Sequence, residues 1–163
     1  MITIAPAMRI ENQLLCQLDY QISERLNMRD SSIVNKGTIK QEENVGLTNF
    51  PLERPLSISI KIPDCDKWSN FQDITSKSNI GKTLPVVLTG SEGTWMFNVE
   101  TSLDQFGTVN VVVYSPYWIV NKSGLPLLYY RGKESKSLAP GQRKNIINYN
   151  ITRTINNEFT NYD

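Results

Sequence analysis

Apolar and polar residues alternate along this chain in short runs, and segments with the period of a helix are nearly absent. The runs are MITIA, AMRIEN, QLDYQI, PLSISIKI, FQDIT, LPVVLTG, TWMFNVE, TVNVVVY, YWIV, PLLYY and NIINYNIT. In LSISIKI, Leu56, Ile58, Ile60 and Ile62 fall on one face and Ser57, Ser59 and Lys61 on the other. That is the mark of a strand with one buried side. Breaks come at Pro51, Pro55, Pro63, Gly81, Gly90, Gly93, Gly107 and Gly124, where proline and glycine interrupt regular structure. Strands of this length and spacing predict an all-β chain built as an antiparallel β-sandwich. Trp68 and Trp95 sit in strand patterns and are expected in the core. Residues 27–52 are polar and weakly patterned; they read as a long connection with one strand near IVNKGTI. The tail, TINNEFTNYD, reads as a frayed end.

Part of the pattern occurs twice. IAPAMRIENQLLCQLDY, residues 4–20, lies beside YSPYWIVNKSGLPLLYY, residues 114–130. Each copy has a proline (Pro6, Pro116), an apolar strand ending at an asparagine (Asn12, Asn121), a turn, and a second apolar strand ending in tyrosine (Tyr20; Tyr129 or Tyr130). The asparagines are 121 − 12 = 109 residues apart, a period that suits one sandwich module per repeat. Glycines follow them at 37 − 12 = 25 and 141 − 121 = 20 residues, and Gly37 is paired with Gly141 on this basis. The expected organisation is a complete module over residues 1–110 and the incomplete start of a second over residues 111–163. Unpaired strand edges would follow from the cut.

Composition narrows the function classes. Among 163 residues, 17 Lys and Arg face 16 Asp and Glu, for a net charge of +1. No basic stripe able to track nucleic-acid phosphate is visible. The densest positive cluster, RGKESKS with GQRK, reads as solvated loop and strand-end charge, with an acidic membrane surface or acidic peptide as the alternative partner. The apolar share is 39%, and three Trp, seven Tyr and five Phe supply large surfaces to bury. No apolar run reaches the roughly 20 residues of a membrane-spanning helix, and the N-terminus lacks a signal-peptide layout. Cys16 and Cys65 read as reduced thiols. With no histidine, the commonest general base and usual zinc ligand are both missing. GSEG has no P-loop ending, and PDCD offers too few oxygen ligands for calcium. An enzyme is not expected, nor is a cofactor or metal.

VVVYSPYWIVNKSGLPLLYY is similar to the recurrent SPYW(I/L/M)-x-N-K-T-G-L-x-L signature of the vacuolar protein sorting-associated protein 13 family. LSISIKIPDCDKWSNFQDI resembles that family's strand pair around a Trp-Ser dipeptide, here Trp68-Ser69. PAMRIENQLLCQLDY resembles the start of another repeat, with Cys16 where proline is usual, and Ser123 stands for the commoner threonine. The resemblance implies a string of β-sandwich repeats, each with a characteristic asparagine, within a long bridge-like lipid-transfer protein. It implies recognition of short Pro-x-Pro motifs in adaptor proteins, and so targeting to organelle membrane contact sites. Neighbouring repeats would be further partners, nucleic acid would not, and membrane association would be indirect. The implied location is cytoplasmic and peripheral at contact sites.

Asn12 and Asn121 match the motif asparagine. Each has two readings: an amide pinning its turn to a neighbouring backbone, or a contact to an extended peptide's main chain. Pro116, Tyr117 and Trp118 form either a platform for prolines or part of a core. The leading expectation is an adaptor-binding module. An architectural spacer without a ligand is the alternative, and a lectin-like or membrane-surface sandwich is a third class.

Overall fold

The computed structural model of the chain describes residues 5–25, 31–48, 54–90, 93–116, 118–120, 122, 124–131 and 134–145. Among them every regular element is a strand, and the all-β expectation holds. The first nine strands are β1 (Met8–Asn12), β2 (Leu18–Arg25), β3 (Ser31–Ile39), β4 (Asn44–Leu47), β5 (Leu56–Lys61), β6 (Gln72–Asp73), β7 (Thr83–Gly90), β8 (Gly93–Leu103) and β9 (Val109–Tyr114). They form a five-stranded sheet in the order β4-β1-β9-β8-β7 and a four-stranded sheet in the order β3-β2-β5-β6.

Alternation drives the layering. On β9, Val109, Val111 and Val113 are buried while Asn110, Val112 and Tyr114 are half-buried. On β5, Leu56, Ile58 and Ile60 are buried, and Ile62 follows them inward. Met8, Ile10, Val86, Leu88, Phe97 and Val99 from the larger sheet join Leu18, Tyr20, Ile22 and the β5 residues in one hydrophobic cluster. Each fully buried side chain of this size contributes about 1.5–3 kcal/mol, so the shared core is the main source of stability. Opposite Tyr20, β3 carries Gly37, and a methyl group there would sit within 3.0 Å of the tyrosine ring. The ring occupies the room that a side chain at position 37 would need.

One pairing breaks the antiparallel rule. β1 runs parallel to β9, with Met8 opposite Val109 and Asn12 opposite Val113, while it is antiparallel to β4. The first and last strands of the sheet are therefore neighbours pointing the same way. The boundary expected at residue 110 falls inside β9, the strand that joins β1 to β8.

The sequence reading missed some structure. Residues 27–52, read as a connection with one strand, contain both β3 and β4. β3 is the strand expected near IVNKGTI; β4 went unread because it is a four-residue edge strand in which only Leu47 is buried, too short to show alternation. Trp68 is not in the core: it lies outside any strand and is 39% exposed. The cause is Ser69, which bonds along β5. Its N–H donates to the Ile60 carbonyl at 2.9 Å and its Oγ accepts from the Ile60 N–H at 3.0 Å. The Ser59 hydroxyl donates to the Ser69 carbonyl at 2.7 Å, so Ser59 is buried on the face expected to meet solvent. Trp95 is buried as expected and stacks on Phe97 with ring centroids 6.5 Å apart.

Four further strands follow: β10 (Trp118–Val120), β11 (Leu127–Arg131), β12 (Glu134–Leu138) and β13 (Arg143–Asn145). β10 pairs antiparallel with β13 and β11 with β12, as β1 pairs with β4 and β2 with β3. Leu18 faces Ile39, and Leu127 faces Leu138; Tyr20 faces Gly37, and Tyr129 faces Lys136. By this register Leu127 corresponds to Leu18 at 127 − 18 = 109 residues, and Leu138 to Ile39 at 138 − 39 = 99. The ten missing residues belong to a shorter hairpin. The match also corrects the glycines. Gly37 corresponds to Lys136, whereas Gly141, with φ 76°, corresponds to Glu42, with φ 58°. Each is the third residue of a turn closed by a backbone bond, Glu43 N–H to Lys40 and Gln142 N–H to Ala139, where a type II turn requires positive φ.

Candidate functional site

The chain crosses between the two sheets twice near Asn12. After β1 it bends through residues 13–17 into β2, and after β3 it turns through residues 40–43 into β4. Asn12 closes β1 and is fully buried. Its backbone N–H donates to the Glu43 carbonyl at 2.9 Å. Its side-chain Nδ2 donates to the carbonyls of Cys16 at 2.8 Å, Lys40 at 3.0 Å and Ile39 at 3.2 Å. Its Oδ1 accepts the Leu14 N–H at 3.0 Å. One amide thus fastens both crossings. An asparagine amide has two N–H donors and one acceptor oxygen, and these contacts engage both donors and the oxygen. All the hydrogen bonds described for the Asn12 side chain run to backbone groups of its own chain.

The thiols near this corner are free; Cys16 is half-buried and Cys65 buried. Burial, then the charge of Asp64 and the neighbouring Cys65, pushes the Cys16 thiol up from 9.0 to about 11. Burial also raises Cys65, with Asp64 and Asp66 adding to it. Both stay protonated at neutral pH, which suits packing and disfavours nucleophilic chemistry. Among the described residues no group of three or more His, Cys, Asp or Glu is placed to hold a metal ion. No helix among them is long and apolar enough to cross a membrane.

The other sequence-predicted residues are less fully placed. Pro116 is half-buried just beyond β9, and the backbone of Trp118 opens β10. Tyr117, Asn121 and the side chain of Trp118 lie outside the described residues, so the proposed proline platform is not assembled by what is described.

A surface that sequence reasoning passed over is the outer edge of β3. β3 has nine residues and, among the described residues, β2 is its only strand partner. Its register slips between Ile22 and Ser23, which pair with Asn35 and Ile33, leaving Val34 as the extra residue of a bulge. Ile33 is 56% and Val34 41% exposed. The Oδ1 of Asn35 next to them is buried without a hydrogen-bond partner among the described residues, an arrangement that costs free energy. The edge thus offers main-chain groups and two exposed apolar side chains. The signal in the sequence was the Ile-Val pair inside a polar stretch.

Comparison with known proteins bears on what such surfaces serve. The model of the vacuolar-sorting associated protein 13 adaptor binding domain matches residues 1–148. Intermembrane lipid transfer protein Vps13D of Drosophila melanogaster is 26% identical over 141 residues, covering 85% of this chain and 3% of the fly protein. Intermembrane lipid transfer protein VPS13D of Homo sapiens is 26% identical over 148 residues, 86% of this chain and 3% of its own. Intermembrane lipid transfer protein vps13E of Dictyostelium discoideum is 26% identical over 117 residues, 66% and 3%. The chain spans about 3% of the length of these curated relatives.

Proposed function

The chain belongs to the vacuolar-sorting associated protein 13 adaptor binding domain family, and we propose that it is a non-enzymatic module that binds adaptor peptides for a longer lipid-transfer protein. The observation that carries this reading is the outer edge of β3, which has no second strand partner among the described residues and leaves Ile33 and Val34 exposed. An extended peptide adding to that edge gains main-chain hydrogen bonds, and the exposed pair gives it apolar contact.

A Pro-x-Pro motif suits such an edge for a stereochemical reason. In an antiparallel pair, alternate residues direct both N–H and C=O toward the partner strand, and the residues between them face away. Prolines at positions one and three place both missing N–H groups on the solvent side, while the middle residue keeps its full pairing. The bound peptide then presents a proline-blocked edge that accepts no further strand. Docking of this kind would recruit the protein to organelle contact sites through its adaptors.

The matching pairings of β1–β4 and β10–β13 support a tandem organisation, with the junction between β9 and β10 rather than at residue 110. On that reading Asn121 takes the role of Asn12. The engaged Asn12 amide favours an architectural part for the motif asparagines, and a module of pure spacers would bind no adaptor at all.

The test is titration of the chain with fluorescent Pro-x-Pro peptides. Ile33→Asp should weaken binding about tenfold without loss of stability, since the side chain is mostly exposed. Tyr117→Ala and Asn121→Ala report on the alternative platform. Undiminished binding in Ile33→Asp with loss in Tyr117→Ala would move the site to residues 116–118. No binding by the unaltered chain would favour the spacer.

A further inference from the structure

The turn between β8 and β9 presents the most exposed large apolar side chain among the described residues, Phe106, at 74%, with Leu103 beside it at 53%. The turn holds a definite shape. The Asp104 carboxylate accepts the N–H groups of Phe106 at 2.8 Å and Thr108 at 2.9 Å, and the Asp104 N–H donates to the Thr108 carbonyl at 3.1 Å. Gly107 supplies the positive φ that closes it, 83°. The Thr108 hydroxyl ties the turn to the Pro6 carbonyl at 2.9 Å. Phe106 is thus held outward by a braced loop and has little apolar surface of its own chain to cover it.

Cations lie on segments bonded to this end of β8. The loop over residues 76–82 is bonded to the end of β8: the Gly81 N–H donates to the Thr101 carbonyl at 2.7 Å, and the Thr101 hydroxyl donates to the Asn79 carbonyl at 2.7 Å. That loop carries exposed Lys77 and Lys82, and exposed Arg9 on β1 lies close enough to Asp104 to favour its ionised form. The acidic groups near these segments are Asp104, whose charge is spent on two backbone N–H groups and Arg9, Asp73, whose carboxylate accepts the Thr75 and Ser76 N–H groups beneath the lysine loop, and Glu100 further back on β8. The tip thus combines an exposed aromatic side chain with cations on neighbouring segments. It offers no pocket for a protein hot spot, but it matches an interface where an aromatic side chain meets acyl chains and lysines meet anionic headgroups.

We propose that the β8–β9 turn is a lipid-contacting tip: Phe106 and Leu103 enter the headgroup boundary of an anionic membrane, and Lys77, Lys82 and Arg9 hold its surface charge. The contact is independent of the β3 edge and adds a direct hold to recruitment through adaptors.

The experiment is flotation of the full 163-residue chain with phosphatidylcholine vesicles containing about one third phosphatidylserine, an anionic lipid. The chain should float at low salt and progressively less as salt rises. Phe106→Ser should reduce the bound fraction about tenfold, as expected from losing one buried aromatic side chain. Lys77→Glu with Lys82→Glu should reduce it more than tenfold, at about fivefold per lysine removed. Both changes are at exposed positions, so circular dichroism should match the unaltered chain. Absence of flotation by the unaltered chain, or equal flotation by Phe106→Ser, overturns the proposal; capture of a protein partner by the tip without any flotation would do the same.

Discussion

Replacing Asn12 by alanine tests the corner most directly. The substitution deletes three donor contacts, to Cys16, Ile39 and Lys40, and one acceptor contact, from Leu14. The Cys16 and Lys40 bonds are partly buried, so water can replace them at small cost. The Ile39 carbonyl and the Leu14 N–H are in buried bonds, and water does not reach them without opening the fold. Each buried group left unpaired costs about 1–3 kcal/mol. Two such groups give a loss of about 2–6 kcal/mol, a large part of the roughly 5–15 kcal/mol that holds an ordinary domain.

Urea unfolding followed by the fluorescence of buried Trp95 measures the loss as a shift in midpoint at constant slope. Asn12→Asp separates bonding from size. It keeps an acceptor but sets a carboxylate against three carbonyls, which raises its folded-state pKa. Its stability is then greatest in acid and falls as pH rises through that pKa. Asn12→Ala costing less than about 1 kcal/mol would refute the reasoning, because the amide would then be incidental to both crossings. Peptide affinity falling in Asn12→Ala while the midpoint stayed fixed would refute it from the other side.

Other substitutions follow from the same geometry. Gly90→Ala should destabilise by about 2 kcal/mol or more, because its methyl would overlap the Asp64 carbonyl and press on the Cys65 sulfur; thermal melting reads the drop. Glu42→Gly should stabilise the chain by several tenths to about 1 kcal/mol by relieving a positive φ of 58°, and urea titration that showed a loss would contradict the turn assignment. The Thr108 N–H, then the Phe106 N–H and Arg9, hold the Asp104 pKa below its usual value. Its contribution is therefore present above the unfolded-state pKa of about 3.9 and lost as pH falls through the folded-state value. Asp104→Ala should lower stability at neutral pH and flatten the acid side of the stability curve.

The all-β class and the faces of β5 were legible because each depends on local alternation. Leu56, Ile58 and Ile60 alternate with smaller polar residues whatever lies beyond them. What escaped depends on neighbours. β4 is only four residues long with Leu47 alone buried, too short to show alternation, and its place beside β1 is fixed only by the fold. Trp68 turned outward because Ser69, one residue on, bonds β5 in its place. The glycine pairing failed for a similar reason. Gly37 answers to the Tyr20 ring across the sheet and Gly141 to a turn, so one residue type served two needs. Asn12 was flagged by its repetition, but which carbonyls it bonds required the two crossings to be seen together.

The neighbouring, same-way course of β1 and β9 has a mechanical consequence. Tension applied before Met8 and after Tyr114 pulls these two strands in opposite directions along their shared ladder. Such a load shears the whole row of cross-strand bonds together instead of unzipping them one at a time. A hairpin tugged at its adjacent ends would peel open under far less force. The stretch from β1 to β9 is accordingly built to resist a pull applied at its two ends.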